Sequence, residues 1–356
     1  MTTNRPTVIT PGLYALGAAV LFGASTPAAK VLLGHLSPQL VAGMLYLGSG
    51  TGLVLLWLLR RSFSRHQQAH GLKAGELLWL AGAIATGGIA APLLLMIGLS
   101  ATQATAASLL LNLEGVFTAL LAWLAFKEHT DKRIVWGMLS IVLGSLLLSW
   151  TPGQSVAFSM GSLSIIAACG CWAMDNNLTR KISDADPVQI AAIKGLVAGI
   201  VNCSIALGTG SSLPPFTVAL SAGVIGFLGY GISLTLFIKS LSLLGTARTG
   251  AYFSTAPFAG AILSLLFLHE SMTVNLVIAA VLMILGVVLH LTEKHDHEHL
   301  HLAVEHDHMH VHDAHHMHEH ESDAPTGEPH SHPHLHSEQR HSHPHYPDSE
   351  HRHEHY

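Results

Sequence analysis

Histidine recurs at every second position through the last part of this chain. His295, His297, His299 and His301 form one block, His306, His308, His310 and His312 a second, and His330, His332, His334 and His336 a third. Shorter runs follow at His341-x-His343-x-His345 and His351-x-His353-x-His355. Residues 293–356 hold 22 of the 28 histidines, interleaved with Asp, Glu, Ser and Pro. Neutral imidazole is a borderline ligand that suits nickel, cobalt, zinc and copper(II). Alternation in an extended chain puts rings on one side at every second residue, so neighbouring blocks can supply several nitrogens to one ion. Met309 and Met317 are present but no cysteine is, which speaks against a dedicated copper(I) site. Ligand type does not choose among the divalent metals. A pH-responsive polyelectrolyte is the competing reading, because free histidines titrate near about pH 6.5.

A second group of chemistry-bearing residues lies in apolar surroundings. Glu114 stands in the run Leu111-Asn112-Leu113-Glu114-Gly115. A carboxylate at membrane depth must be protonated, paired or holding a cation. Those are the states through which a proton-coupled cation carrier cycles. A buried ion pair with Lys30 or Lys194 is the structural alternative. Asp175 sits beside Asn176 and Asn177, with Cys171 four residues earlier on the same helical face. That face could line a cation entry, or simply be a polar helix end. Lys194 is expected to pair with Asp175 or to reach the membrane surface, and Lys30 reads the same way. Glu114, Asp175, Asn112 and Cys171 are therefore the candidates for a transport path. His269-Glu270 could receive a cation on exit, although a capping Glu beside a solvated His is the plainer expectation. His35 is read as a solvated outer histidine. Cys169, Cys171 and Cys203 all fall in apolar segments and imply no disulfide framework.

The elements that must position these groups are membrane helices. The chain of 356 residues is 49% hydrophobic and only 11% charged, against about 25% charged in soluble domains. A bilayer core needs about 20 apolar residues per helix. Ten segments meet or approach that length: 12–33, 38–59, 76–97, 102–125, 133–150, 157–178, 188–208, 217–238, 246–267 and 273–291. The first is too long for a cleaved signal peptide and reads as an uncleaved span. Ser37-Pro38, Asp186-Pro187 and Pro214-Pro215 break the chain between spans. Thr130-Asp131 and Ser271 have the form of helix N-caps. Pro27, Pro92 and Pro257 suggest kinks or hinge points within spans.

Basic residues orient the array. Arg60, Arg61, Arg65 and Lys73 fall in one loop, Lys127, Lys132 and Arg133 in the next of that side, then Arg180 with Lys181, and Lys239 with Arg248. The alternate loops have no Lys or Arg. Positive residues mark the cytoplasmic side, so both termini are expected in the cytoplasm. Trp57, Trp79, Trp123, Trp136 and Trp150 lie near span ends, as interfacial aromatics do.

GxxxxGK[ST] is absent, as are HExxH and a serine nucleophile elbow, so neither ATP hydrolysis nor another enzymatic activity is indicated. Few and scattered basic residues argue against nucleic acid as a partner. The expected partners are the lipid bilayer and metal cations. No cofactor is called for beyond Ni, Co or Zn held by the tail, and self-association is left open.

The two halves also repeat. Glu128 corresponds to Glu270 and Gly144 to Gly286 at one constant offset, and Ser37-Pro38 corresponds to Asp186-Pro187. Five spans per half make the second half inverted, a common transporter construction with its site near midplane. With these features the chain resembles the EamA branch of the drug/metabolite transporter superfamily. It has Lys127-Glu128 and His269-Glu270 where that family usually shows Gly-Glu. In joining such a body to a His-rich end it is similar to members linked to nickel and cobalt resistance. The resemblance implies a secondary exporter of a bacterial inner membrane with a central cavity and alternating access.

The fold expected is all-α and integral to the membrane: ten helices as two inverted five-helix repeats with a disordered His-rich tail. The divisions are 1–11 (cytoplasmic N-terminus), 12–150 (first repeat), 157–291 (second repeat) and 293–356 (metal-binding tail). The function expected is proton-coupled efflux of nickel or cobalt, and of zinc as a further candidate. The alternative is export of a small metabolite or metallophore, with the tail only buffering or sensing metal.

Overall fold

The computed structural model describes residues 9–63, 72–126, 132–149, 159–183, 185–292, 296–301, 305–310, 330–335 and 339–344. The chain divides into two units, Met1–Glu293 and Lys294–Tyr356.

Among the described residues of the first unit all regular secondary structure is helical, as its apolar composition leads one to expect. Its helices are α1 (Ile9–Leu32), α2 (Pro38–Phe63), α3 (Leu77–Ala83), α4 (Ala91–Ser100), α5 (Ala104–Leu110), α6 (Leu113–Phe126), α7 (Lys132–Ser149), α8 (Met160–Arg180), α9 (Pro187–Gly208), α10 (Phe216–Gly226), α11 (Ser233–Phe253), α12 (Ala256–Phe267) and α13 (Val274–Leu291). Ala74–Glu76 is a short 3-10 turn that leads into α3. Among the described residues six helical stretches are long and apolar enough to cross a membrane: Gly12–Leu32, Pro38–Leu59, Ala74–Ser100, Ala104–Leu121, Pro187–Gly208 and Phe216–Leu244. Val135–Leu148, Ala256–Phe267 and Val274–Leu289 are shorter apolar helices. Their outward faces carry large apolar side chains in stripes, such as Trp136, Leu139, Leu143 and Leu146 on α7. On α13 the stripe runs Val277, Val281, Ile284, Leu285 and Val288. Such a face is costly against water and is satisfied by lipid.

Two helices widen into π-helical turns, Ile84–Ala90 between α3 and α4, and Phe227–Ile232 between α10 and α11. Two others are interrupted by a two-residue turn, at Leu111-Asn112 and at Ser254-Thr255. Pro92 and Pro257 stand where a helix resumes after these irregularities, while Pro27 lies inside α1.

Matching positions of the two halves make reciprocal contacts. Helices α7 and α13 pack together, and each bound of α13 is 142 residues beyond that of α7 (132 to 274, 149 to 291). A Cβ placed on Gly144 would stand 3.0 Å from the Ala279 carbonyl, and one on Gly286 would stand 2.7 Å from the Gly137 carbonyl. The residues 144 and 286, like 137 and 279, are related by the same offset. Helices α2 and α9 cross in the same manner, through Gly50 on Gly195 and Gly199 on Leu47. Small residues let membrane helices approach this closely. The reciprocity is that of approximate twofold symmetry.

Two local expectations change. Backbone hydrogen bonding runs unbroken through 239–245, which reads in the sequence as a loop. The direction nevertheless reverses there. Ser240 and Thr249 share a hydroxyl hydrogen bond of 3.0 Å, and the Phe237 and Phe253 rings are 4.8 Å apart. Nine residues of straight helix would separate the first pair by about 13 Å. The cap of α13 is Thr273, whose Oγ1 accepts the Leu276 amide at 3.2 Å, rather than Ser271. Thr130-Asp131 and Glu128 lie outside the described residues.

The second unit also departs from expectation. In place of a tail without secondary structure, four stretches are strands: β1 (Asp296–His301), β2 (Glu305–His310), β3 (His330–Leu335) and β4 (Gln339–Pro344). β1 pairs antiparallel with β4, setting His297 opposite His343 and His299 opposite His341. β2 pairs with β3, setting His306, His308 and His310 opposite His334, His332 and His330. A chain too polar to bury a core can still exchange backbone hydrogen bonds when its residues favour extension. Of the candidate ligands, His295, His312 and His336 lie outside the described residues.

Candidate functional site

The break at Leu111-Asn112 restarts the helix one residue before Glu114. The carboxylate therefore sits in the first turn of α6, where the helix dipole favours negative charge. Asn176 Nδ2 on α8 donates to Glu114 Oε1 at 2.7 Å. No ion pair of Glu114 occurs among the described residues, so the pairing with Lys30 or Lys194 is not what holds it.

Lys194 is committed elsewhere. Its ammonium, 1% exposed, donates to both carboxylate oxygens of Asp175, which is itself 4% exposed. Thr179 Oγ1, one turn along α8, donates to Asp175 Oδ1 at 3.0 Å. An ion pair taken out of water needs such added partners to offset its lost hydration.

The first π-helical turn supplies the wall behind this pair. Widening the turn releases carbonyls from the regular ladder, and side chains take them up. Tyr46 Oη donates to the Gly87 carbonyl at 2.7 Å, and Trp172 Nε1 to the same oxygen at 3.1 Å. Asn202 Nδ2 lies 3.4 Å from the Gly88 carbonyl.

Around Glu114 and the Asp175–Lys194 pair opens a cavity with about 450 Å³ of free space, open solvent included. Six rings line it: Phe22, Tyr46, Trp172, Tyr230, Phe237 and Phe253. Phe22 is central, with ring centroids 5.6 Å from Trp172, 5.6 Å from Tyr230 and 5.5 Å from Phe253. Tyr46 and Tyr230 are 5.2 Å apart. The Tyr230 hydroxyl makes no hydrogen bond among the described residues. Ser25, beside it, donates its own proton to the Phe22 carbonyl at 2.6 Å.

Two of the four sequence candidates thus meet in one cavity and two do not. Asn112 is buried against α13, donating to the Leu109 carbonyl at 3.0 Å and reaching Met283 Sδ at 3.8 Å. Cys171 is half-buried and does not line the cavity; Trp172 and Asp175 present that face of α8 instead. Among the described residues no three His, Cys, Asp or Glu side chains converge as a metal site requires.

Two further charged groups, Lys30 on α1 and Glu270, hold helix ends. Lys30 Nζ donates to the carbonyls of Leu99 and Thr102 at 2.6 and 2.7 Å, at the end of α4. Glu270 accepts the amides of Ala104 and Thr105 at 2.7 and 2.8 Å and the Thr105 hydroxyl at 2.5 Å. It caps α5, a helix of the other half, rather than its own. His269 beside it is exposed and has a φ of 51°.

Helices broken at a charged cavity, with contacts reciprocal between two halves, are the construction of a membrane transporter. The chain belongs to the EamA-like transporter family, which it matches over residues 10–150 and 159–292. It is 28% identical over 293 residues to an uncharacterized transporter of Methanothermobacter thermautotrophicus, covering 76% of this chain and 83% of that one. Identity to the uncharacterized transporter YyaM of Bacillus subtilis is 25% over 284 residues, covering 77% and 90%. A crystal structure of a protein 17% identical superposes with a TM-score of 0.61, over 79% of this chain and 95% of that one. That likeness speaks to the fold alone.

Proposed function

We propose that this chain is a secondary exporter of a small organic cation, built of ten spans as two inverted five-span halves. In this reading the membrane is a bacterial inner membrane and both termini face the cytoplasm, because Lys and Arg gather in alternate loops. The observation that carries the substrate class is the cavity itself: six aromatic rings around one carboxylate that, among the described residues, makes no direct ion pair with an ammonium. Aromatic faces attract an organic ammonium through their quadrupoles, and Glu114 balances its charge. Binding of the cation displaces a proton from Glu114, and a returning proton displaces the cation. Alternating access then follows from rocking of the two halves.

A second reading is efflux of nickel, cobalt or zinc. The observation favouring it is the tail, in which 22 histidines offer imidazole ligands. In that reading the tail gathers metal at the cytoplasmic face and Glu114 with Asp175 passes it outward. In the first reading the tail buffers metal while the body moves an organic solute or a metal chelate.

Cells preloaded with benzyltrimethylammonium, and separately with nickel, cobalt or zinc, separate the two. The full chain is compared with one whose histidines from His295 to His355 are glutamine. Faster loss of the organic cation with both chains is expected. Loss of a metal alone, abolished by the substitutions, would establish the second reading in its place.

A further inference from the structure

We infer that Lys194 sets the valence of the cargo at one. The inference rests on the organic-cation reading above and adds what that cavity can and cannot balance.

Among the described residues, the ionisable side chains lining the cavity, tyrosines aside, are Glu114, Asp175 and Lys194. They come from three helices, α6, α8 and α9. Tyr46 on α2, Tyr230 in the second π-helical turn and Ser233 on α11 add neutral polar groups to the cavity, with Cys169 on α8 behind Glu114. Asp175 is spent on Lys194: both its oxygens receive the ammonium, and Thr179 adds a third donor. Among the described residues the Glu114 carboxylate is held only by the neutral amide of Asn176. The site thus alternates between net zero, with Glu114 protonated, and net minus one, with Glu114 ionised.

An unbalanced charge in a low-dielectric cavity is strongly unfavourable. A monovalent cation on ionised Glu114 restores net zero. A divalent one leaves the cavity at plus one. Each cation that binds releases one proton from the Glu114 carboxyl to solvent, and each proton that returns lets one cation leave. The exchange is one for one, moves no net charge and excludes free divalent ions.

The test uses the full chain in sealed vesicles with two permanently charged aromatic probes, benzyltrimethylammonium and the dication methyl viologen. A pH gradient is expected to drive uptake of the first. A potantial imposed with potassium and valinomycin is expected to leave that rate unchanged, and methyl viologen is expected to stay outside. In Lys194→Met the second carboxylate is freed, and methyl viologen uptake should rise by about tenfold. In Lys194→Met/Asp175→Asn the count returns to one carboxylate, and the preference for the monovalent probe should return. The double variant also covers the case in which the single one does not fold. Wild-type uptake of methyl viologen equal to that of benzyltrimethylammonium, or uptake driven by potential, overturns the assignment to Lys194 and leaves the cavity reading standing. Uptake of neither probe overturns the reading beneath it, and the valence rule with it.

Discussion

Gly87 and Asp175 touch so closely that no side chain fits between them: a Cβ on Gly87 would fall 1.9 Å from Asp175 Oδ2. The contact joins the first π-helical turn to the buried ion pair. Gly87→Ala must therefore push α8 away from the turn and loosen the Tyr46 and Trp172 hydrogen bonds to the same residue. A loss of about 1–3 kcal/mol is expected for overpacking at such a site. Thermal unfolding of the purified chain would show it as a lowered midpoint, together with reduced transport.

The Asp175–Lys194 pair should behave as a unit. Removing one partner leaves a buried charge unpaired, at about 3–5 kcal/mol. Asp175→Asn and Lys194→Met should each destabilise strongly, and the double variant less than the sum of the two. A double-mutant cycle on unfolding midpoints reads this coupling; strict additivity would contradict it.

Glu270 closes the N-terminus of α5 from the opposite half of the chain. Glu270→Ala leaves two amides and the Thr105 hydroxyl without this acceptor, with an expected loss of about 1–2 kcal/mol. Hydrogen exchange at Ala104 and Thr105 should quicken while that at α9 stays as it was.

The tail should bind nickel in a pH-dependent way. Imidazole binds metal only when neutral, so affinity should fall as pH drops below about 6.5. Equilibrium dialysis of the full chain checks this, and replacement of the tail histidines by glutamine should abolish it.

Much of the helical frame was legible because a bilayer imposes length: 38–59, 188–208 and 217–238 fall inside helices of the structure. The pairing of Lys194 with Asp175 was legible too, since two opposite charges in apolar helices need each other. Asn112 shows where such reasoning fails. It lies in the turn between α5 and α6, not on the helix that carries Glu114, and its side chain bonds back to the Leu109 carbonyl and reaches Met283 on α13. Cys171 shares a broad face with Asp175, but the cavity falls on the side of Trp172. The π-helical turns carry only weak marks, Gly87-Gly88 and Gly229 with Gly231. They arise from a shift in backbone hydrogen bonding that no residue type dictates. The aromatic lining was missed because Phe22, Tyr46, Tyr230 and Phe253 sit on separate elements. Each looks alone like an ordinary packing residue.

The central claim is that Glu114 trades a proton for a cation. The most direct measurement is proton release when benzyltrimethylammonium is added to the purified full chain in weak buffer, followed from about pH 5 to pH 8. The account predicts release of one proton per cation bound within that range by the wild-type chain, and none by Glu114→Gln. Equal release by Glu114→Gln, or cation binding by the wild-type chain with no proton released at any pH in that range, would contradict it.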